Sequence, residues 1–199
     1  MTTNILLCGV GGQGTVLASK LIAEAAMRRG FAVRTAETIG MAQRGGCVAS
    51  HVRIGHEIHS PLIPNASADL IIGFEPAEAI RALPYLKKDG AVVASRKRIQ
   101  PVTAALGGKA GDPEQYAAYL RKNIADLVLV DTDDVCRRLE SYKILNTILL
   151  GAAVQAGKLP FTIKELEEVI RGKLPEKFHN INIEALNASA VQRCNDENE

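Results

Sequence analysis

A cluster of glycines near the start of the chain most constrains how it can fold. Gly9-Val10-Gly11-Gly12-Gln13-Gly14 follows an apolar segment, residues 5–8, and precedes a helical pattern that begins near Thr15. Gly9, Gly11 and Gly14 fit the G-x-G-x-x-G spacing of a strand-to-helix turn, where glycine permits a tight turn and close packing. A helix that begins there offers unpaired N–H groups to an anion. This stretch, the glycine loop, therefore predicts a phosphate-binding turn.

The segments after the glycine loop alternate between helix and strand patterns. A helix over residues 15–29 ends at Gly30, and residues 31–35 are typical of a second strand. Residues 47–54 alternate in polarity, and the tight turn at Gly55 and His56 predicts a hairpin with residues 57–59. Further strands are predicted over residues 69–74, 91–95 and 127–130, and further helices over residues 76–83, 113–123, 144–156 and 182–193, with one more after a capping box at Thr162-Ile163-Lys164-Glu165.

This order predicts an α/β fold, a Rossmann-like three-layer sandwich with a mostly parallel sheet, an inserted β-hairpin and C-terminal helices. The helix over residues 144–156 is apolar nearly all round and should be buried. Gly151 within it is expected to permit close approach to the sheet. Asn146 in the same helix needs a hydrogen-bond partner if it is buried.

Length and composition indicate one domain. The 199 residues are 47% hydrophobic and 23% charged, which is typical of a globular chain. We expect residues 1–194 to form a single domain and the polar residues 195–199 to be a frayed tail. No apolar run approaches the ~20 residues that a membrane-spanning helix needs, and no leader pattern precedes the first strand, so the expected location is cytoplasmic. The net charge of +2 does not favour nucleic-acid binding.

Neither metal ligands nor catalytic residues are predicted in this chain. Cys8, Cys47, Cys136 and Cys194 are scattered, and none pair at C-x-x-C spacing, so a zinc site or an iron–sulfur cluster held by this chain alone is not expected. No carboxylate with ligand spacing accompanies the histidines near residues 51–59. We interpret His51 as a solvated or edge-strand residue.

A second glycine-rich segment begins after the second strand. Glu37 stands about 20 positions beyond the glycine loop, where a dinucleotide-binding chain carries the acidic residue that binds ribose. The segment that follows, Gly40-Met41-Ala42-Gln43-Arg44-Gly45-Gly46, is a glycine-punctuated loop instead of a short turn into a helix. Arginine recognises phosphate or carboxylate through paired hydrogen bonds, so Arg44 is either a ligand contact or part of a salt bridge. The glycine loop is likewise either a phosphate site or a surface for a partner.

With these two loops and the predicted hairpin, the chain resembles the gamma-type subunit of 2-oxoacid:ferredoxin oxidoreductases, and within that family the small (beta) subunit of indolepyruvate ferredoxin oxidoreductase. The residues that carry the resemblance are Gly9-Val10-Gly11-Gly12-Gln13-Gly14, Glu37-Thr38-Ile39-Gly40-Met41-Ala42-Gln43-Arg44-Gly45-Gly46, Ser50-His51-Val52-Arg53-Ile54-Gly55, Ser60-Pro61-Leu62-Ile63-Pro64, Glu75-Pro76, Glu78-Ala79, Arg81, Asn146-Thr147 and Leu150-Gly151-Ala152.

The resemblance implies a share in the CoA-dependent oxidative decarboxylation of a 2-oxoacid, here an indolepyruvate or another aryl pyruvate, with electrons passed to ferredoxin. It implies that thiamine diphosphate, magnesium and the [4Fe–4S] clusters sit in a large partner subunit, because this chain lacks the Gly-Asp-Gly motif and grouped cysteines. It also implies contact with coenzyme A, and a homodimer is one expected state of the isolated chain. The candidate cofactor-binding residues are Gly9, Gly11, Gly12, Gln13, Gly14, Gln43, Arg44, Gly45 and Gly46.

Two other functions remain open from the sequence. Gly9, Gly11, Gly14 and Glu37 suit an NAD(P)-dependent dehydrogenase. A nucleotide-binding scaffold without chemistry suits the same glycine loop. The second glycine-rich segment argues against the dehydrogenase, because dinucleotide chemistry does not require it.

Overall fold

The computed structural model describes residues 2–39, 46–96, 112–188 and 191–193, which form an α/β fold of three layers. Its strands are β1 (Thr3–Val10), β2 (Ala32–Ile39), β3 (Cys47–Gly55), β4 (Ala68–Gly73), β5 (Leu86–Ser95), β6 (Leu127–Val130) and β7 (Val191–Arg193). Its helices are α1 (Thr15–Arg28), α2 (Pro76–Ala82), α3 (Pro113–Asn123), α4 (Thr132–Arg138), α5 (Leu145–Gln155), α6 (Ile163–Lys173) and α7 (His179–Asn187).

The strands form one mixed sheet in the order β2-β3-β1-β4-β5-β6-β7. The pairs β1–β4, β4–β5 and β5–β6 are parallel, whereas β3 is antiparallel to both β1 and β2, and β7 is antiparallel to β6. Within the described residues, β1, β2, β4, β5 and β6 therefore run in one direction and β3 and β7 in the other. The predicted α/β class with an antiparallel insertion is confirmed.

The hairpin of the structure is made by β2 and β3. Their ladder extends from Ala32 opposite Gly55 to Ile39 opposite Val48. On its other edge, β3 pairs with β1 along the whole length of β1. Because both edges of β3 are occupied, residues 57–59 cannot pair with β3, and they lie outside any strand. The prediction that the hairpin continues beyond the turn at Gly55 is wrong.

Helices cover both faces of the sheet. Ile5 and Leu7 of β1 contribute to one core with α1, α4, α5, α6 and α7, and Leu6 and Cys8 contribute to the other with α2 and α3. Successive side chains of a strand point to opposite faces, so a strand covered on both faces must be apolar throughout. Residues 5–8 satisfy that requirement, since each is at most 3% exposed.

The C-terminal part of the chain contains a strand that was predicted as helix. The sequence predicts one helix over residues 182–193, whereas α7 ends at Asn187 and residues 191–193 form β7. β7 pairs with the free edge of β6, with Val191 opposite Val130. Neither glycine nor proline stands between residues 182 and 193 to mark the end of the helix, and pairing with a distant strand decides the local structure. The tail at 195–199 lies outside the described residues.

The buried helix α5 packs closely against α7. A Cβ added to Gly151 would overlap the backbone carbonyl of Leu186, so this glycine permits close approach to α7 and not, as predicted, to the sheet. Asn146 is buried, and its Oδ1 accepts a hydrogen bond from the Thr147 hydroxyl at 3.5 Å. The same hydroxyl lies 2.6 Å from Oδ1 of Asn182 on α7. Polar contacts therefore join the two helices beside the close approach.

Among the described residues, no helix has both the length and the apolar character that a membrane-spanning helix requires.

Candidate functional site

The carboxyl ends of β1 and β4 lie side by side and lead to helices on opposite faces of the sheet. β1 continues into α1, which packs on the face of Ile5 and Leu7, and β4 continues into α2, which packs on the face of Leu6 and Cys8. In α/β folds, such a reversal opens a crevice beyond the strand ends, and ligands bind in it. The glycine loop and the turn before α2 stand on the two sides of this reversal, and the candidate site lies at the glycine loop.

The glycine loop adopts backbone conformations that favour glycine. Gly12 and Gly14 have φ angles of 101° and 84°, in the left-handed region that other residues rarely enter. Gly9 is constrained by packing, because a Cβ at this position would lie 2.5 Å from Oε1 of Gln13 and 2.8 Å from the Cβ of Phe74. The strand-to-helix turn predicted from the sequence is confirmed. Gly12 and Gly14 are required by their backbone conformation, and Gly9 is required by packing.

Gln13 ties the glycine loop to the other side of the crevice. Its side chain is buried, with Oε1 accepting from the backbone N–H of Val10 at 2.6 Å and Nε2 donating to the carbonyl oxygen of Phe74 at 3.2 Å. Both ends of the amide are therefore bonded within the chain. The predicted contact of Gln13 with a ligand stays a prediction, and the structure gives the residue a supporting role.

A cleft opens where α1 begins. In the part of the chain that the structure describes, no side chain caps the start of α1, whose N-cap residue is Gly14, and no acidic residue stands in its first turn. The N–H groups of a first helical turn have no partner within the helix, and together with the helix dipole they attract anions. The α1 cleft has a volume of about 510 Å³ and is lined by Gly11, Gly12, Gly14, Thr15, Val16, Leu17, Lys20 and Val48. Lys20 adds an exposed positive charge at its rim.

The second glycine-rich segment meets the glycine loop at one described residue. The carbonyl oxygen of Gly46 accepts a hydrogen bond from the N–H of Gly11 at 2.9 Å. Gln43, Arg44 and Gly45 lie outside the described residues. The structure therefore brings one end of the predicted second half of the site to the glycine loop, and the ligand contacts of the other three residues stay predictions.

Glu37 lies on β2, at the exposed edge of the sheet. The Ser19 hydroxyl on α1 donates to the carbonyl oxygen of Val16 at 2.9 Å and lies 3.3 Å from Oε1 of Glu37. Because β3 lies between β1 and β2, Glu37 is one strand further from β1 than the ribose-binding acid of a dinucleotide-binding unit. The contact with Ser19 nevertheless places its carboxylate against the first turns of α1.

His51 is buried and was misinterpreted from the sequence as a solvated or edge-strand residue. It lies on β3, which is an internal strand, and its ring Nδ1 accepts the N–H of Ile63 at 3.2 Å. Its ring also meets that of Tyr85 edge-on. Burial lowers the pKa of His51. The residue therefore anchors the segment after β3 as a neutral acceptor, and no group of histidine, cysteine or acidic side chains among the described residues could hold a metal ion.

Two buried carboxylates stand on the α2 side of the crevice. Glu75 caps α2, with Oε2 accepting the N–H of Glu78 at 3.1 Å. Oε1 of Glu78 pairs with Arg81 at 2.5 Å, while its buried Oε2 has no hydrogen-bond partner within the part of the chain that the structure describes. Sequence reasoning assigned these carboxylates no role, although an acidic residue followed by proline directly after a buried strand is a recognisable helix start.

The thiols beside these carboxylates are held in the protonated form. Burial raises the pKa of the Cys8 thiol well above its ordinary value, and the negative charge of Glu78 raises it further. Partial burial and the adjacent Glu78 carboxylate raise the pKa of the Cys47 thiol to about 11. A thiolate is the reactive form of cysteine, so neither residue has the environment of a nucleophile.

The sequence profile of the family described as pyruvate ferredoxin/flavodoxin oxidoreductase matches residues 4–192. The chain belongs to this family. Within it, the chain is 39% identical over 187 residues to the indolepyruvate oxidoreductase subunit IorB of Archaeoglobus fulgidus, covering 94% of this chain and 92% of that subunit. The match extends from β1 to β7, so the family assignment applies to the whole described fold.

Two solved structures of 2-oxoacid oxidoreductases share the fold. Pyruvate oxidoreductase subunit PORC of Thermotoga maritima superposes with a TM-score of 0.64 at 24% identity, covering 94% of each chain. The 2-oxoglutarate:ferredoxin oxidoreductase of Magnetococcus marinus, with 2-oxoglutarate, coenzyme A and succinyl-CoA bound, superposes with a TM-score of 0.68 at 22% identity. That match covers 94% of this chain but 30% of the longer one. The fold therefore occurs both as a separate subunit and as part of a larger chain.

Proposed function

We propose that this chain is the small subunit of a 2-oxoacid ferredoxin oxidoreductase that acts on indolepyruvate or another aryl pyruvate. The observation that carries the proposal is the 39% identity to an indolepyruvate oxidoreductase subunit over nearly the full length of both chains. The assembled enzyme would convert the 2-oxoacid and coenzyme A to acyl-CoA and carbon dioxide and pass the electrons to ferredoxin. We place it in the cytoplasm. An NAD(P)-dependent dehydrogenase is not favoured, because the family is one of ferredoxin- and flavodoxin-linked enzymes.

The reaction centre is assigned to a large partner subunit. Thiamine diphosphate with magnesium would supply the decarboxylation chemistry there, and [4Fe–4S] clusters would carry the electrons. Cluster ligands are normally grouped cysteines, whereas Cys8, Cys47 and Cys136 are distant in sequence, and two of the three are buried. The raised thiol pKa of Cys47 also disfavours a cluster ligand, which binds as a thiolate.

Coenzyme A is the ligand that we assign to the α1 cleft. Its pyrophosphate suits the uncapped N-terminus of α1, where Gly12 and Gly14 let a ligand approach the backbone closely. Lys20 at the rim adds a positive charge. In this role the chain binds and orients the thiol substrate and does not itself make or break its bonds.

Reconstitution of the enzyme tests the proposal. The chain is co-expressed with a large subunit that carries thiamine and cluster motifs, and the copurified complex is assayed for CoA-dependent reduction of ferredoxin with indolepyruvate, phenylpyruvate and pyruvate. We expect a stable complex with the highest kcat/KM for an aryl pyruvate. A chain that does not associate with such a subunit, or a complex that reduces NAD in place of ferredoxin, would overturn it.

A further inference from the structure

One face of the sheet is incompletely covered by helices among the residues that the structure describes. On the face of Leu6 and Cys8, α2 packs on β1, β4 and β5, and α3 packs on β6. The helix that packs on β2 and β3 is α1, and it lies on the opposite face. In a three-layer α/β fold, helices cover both faces of the sheet. On the α2 side, β2 and β3 therefore lack a helix packed on them.

The side chains that β2 and β3 present on this side are small. Ala49 lies opposite Cys8 in one ladder and opposite Thr38 in the other, so all three share the face of α2. Cys47 and Ala36 lie two positions away along their strands, on the same face. Cys47 and Thr38 are exposed and the two alanines are half-buried. These four residues of β2 and β3 form the β2–β3 patch, and two strands are about 10 Å wide, which is the diameter of one helix.

The rest of this side of β3 is covered by the chain itself. The N–H of Ile63 donates to Nδ1 of His51 at 3.2 Å. Nη1 of Arg53 donates to the carbonyl oxygens of Ser60 and Leu62 at 2.9 Å and 3.3 Å. These bonds hold residues 60–63 against the end of β3 that lies away from Cys47.

An unpaired carboxylate oxygen stands beside the β2–β3 patch. Glu78 of α2 is 5% exposed, and its carboxylate lies next to the Cys47 thiol. Arg81 pairs with Oε1, whereas Oε2 has no hydrogen-bond partner among the described residues. A buried carboxylate oxygen without a donor costs free energy, and native proteins seldom leave one unpaired. A lysine or arginine side chain that arrives from another protein would supply the donor.

The other end of the patch is positive. Arg34 lies on the same face of β2 as Ala36, opposite Arg53 of β3. It is exposed and makes no hydrogen bond or ion pair with the described residues. Along the strands, Arg34 lies about 20 Å from the level of Cys47 at ~3.4 Å per residue, a length that a helix spans in roughly 13 residues. A complementary helix would therefore be basic at one end and acidic at the other.

We propose that the β2–β3 patch docks a helix of the large partner subunit, with a lysine or arginine of that helix at Glu78 and an acidic residue at Arg34. The inference rests on the proposed function, which supplies the large subunit. The described helices of this chain already pack within it, so the covering helix comes from another chain. Small side chains on the patch let that helix approach the sheet closely, as α1 does on the opposite face.

Paired substitutions on β2 test the proposal in the complex with the large subunit. Thr38→Arg places a long charged side chain on the patch, and we expect the Kd of the complex to rise at least about tenfold. Thr35→Arg is the matched control, because Thr35 is also exposed on β2 but projects from the opposite face. It should bind as the wild type does. Both variants should unfold at the wild-type temperature, since neither side chain is buried.

The charged end is tested in the same way. Arg34→Glu should also raise the Kd, by a factor that shrinks as salt is added, because the acidic residue of the partner is then repelled. Arg171→Glu, at an exposed position of α6, is the control for the change in net charge and should leave the Kd unchanged.

Alkylation of Cys47 reports whether the patch is covered. In a Cys194→Ser background, the rate of reaction with iodoacetamide should fall at least about tenfold when the complex forms, because a docked helix excludes the reagent from the thiol. The rate in the chain alone should not depend on its concentration.

Wild-type affinity in Thr38→Arg or Arg34→Glu, or an unchanged alkylation rate in the complex, would overturn the inference and leave the proposed function intact. An alkylation rate that falls as the concentration of the chain alone rises would show that a second copy occupies the patch, and the inference would be wrong. If the wild type forms no complex with the large subunit, the proposed function fails and the inference fails with it.

Discussion

The side-chain amide of Gln13 lies 3.2 Å from the carbonyl oxygen of Phe74, and this hydrogen bond joins the turn after β1 to the turn after β4. The two turns lead to helices on opposite faces of the sheet. Gln13 therefore fixes the width of the crevice between them, although its own amide is occupied. A residue of this kind influences ligand binding through the position of the backbone.

Replacement of Gln13 tests this supporting role. Gln13→Leu removes both hydrogen bonds and leaves the buried N–H of Val10 and the carbonyl of Phe74 unpaired, so we expect the free energy of unfolding to fall by about 2–3 kcal/mol. Urea unfolding measures the change. Gln115→Leu, at an exposed position of α3, should change stability by less than ~0.5 kcal/mol. Equal stability of the two variants would show that the amide does not support the loop.

Gly14 and Gly30 separate backbone strain from packing. Both have positive φ angles, 84° and 80°. A Cβ at Gly30 meets nothing within 4 Å, whereas one at Gly14 lies 3.2 Å from the amide of Asn146. Gly30→Ala should cost roughly 1–2 kcal/mol from strain alone, and Gly14→Ala should cost more. Thermal unfolding of both variants, and of Gly14→Ala combined with Asn146→Ala, measures the difference. If the double variant is no more stable than Gly14→Ala, the contact between the added Cβ and Asn146 is not the source of the extra cost.

The ion pair between Glu165 and Arg29 should make a small pH-dependent contribution to stability. Hydrogen bonds from Arg29 and from Thr162 lower the pKa of the Glu165 carboxyl from 4.5 to about 2. The fold thus favours the charged form, so the contribution is complete above about pH 4.5 and is lost as the pH falls towards 2.

Chemical unfolding of the wild type and of Glu165→Gln between pH 7 and pH 2 measures this contribution. The pair is about one-third exposed, so we expect a difference below ~1 kcal/mol at pH 7 that shrinks as the pH falls. A difference that grows on acidification would contradict the assignment. Glu168→Gln, on the same helix, serves as the control.

Alkylation kinetics report the environment of Cys47. With a thiol pKa of about 11, the reaction with iodoacetamide should be slow at pH 8 and should still accelerate with rising pH above pH 10. The experiment uses a Cys194→Ser background, since Cys8 and Cys136 are buried. Glu78→Gln removes the charge beside the thiol and should increase the rate at pH 8. A rate that levels off near pH 9 in the wild type would show that the carboxylate has no effect.

Local patterns were sufficient to predict most of the elements. The glycine loop, the capping box at Thr162 and Glu165 and the apolar strands were predicted because their signals lie within a few residues of each other, and the structure has all of them. The pairing of β3 with β1 and β2 and the existence of the strand β7 were not predicted. Each depends on pairing between segments far apart in the chain, and neither Gly55 nor Asn187 carries information about the strand that lies opposite.

The candidate site could be predicted only in part, because some of its features are local and others join segments that are far apart in the chain. The left-handed glycines and the uncapped start of α1 follow from the motif itself. The internal bonding of Gln13, the buried carboxylate of Glu78 and the contact between Ser19 and Glu37 all join separate elements, so no spacing in the sequence indicates them. His51 was misinterpreted because the burial of its strand depends on β1 and β2 together.

The insertion of β3 between β1 and β2 makes the α1 cleft depend on segments that are far apart in the chain. Val48 lines the α1 cleft and the carbonyl oxygen of Gly46 accepts the N–H of Gly11, yet both residues are more than 30 positions from the glycine loop. A fragment ending at Gly30 contains the whole motif but would lack one wall of the cleft. Transplanting the motif into another α/β protein would therefore transfer the turn without the wall that β3 supplies to the cleft.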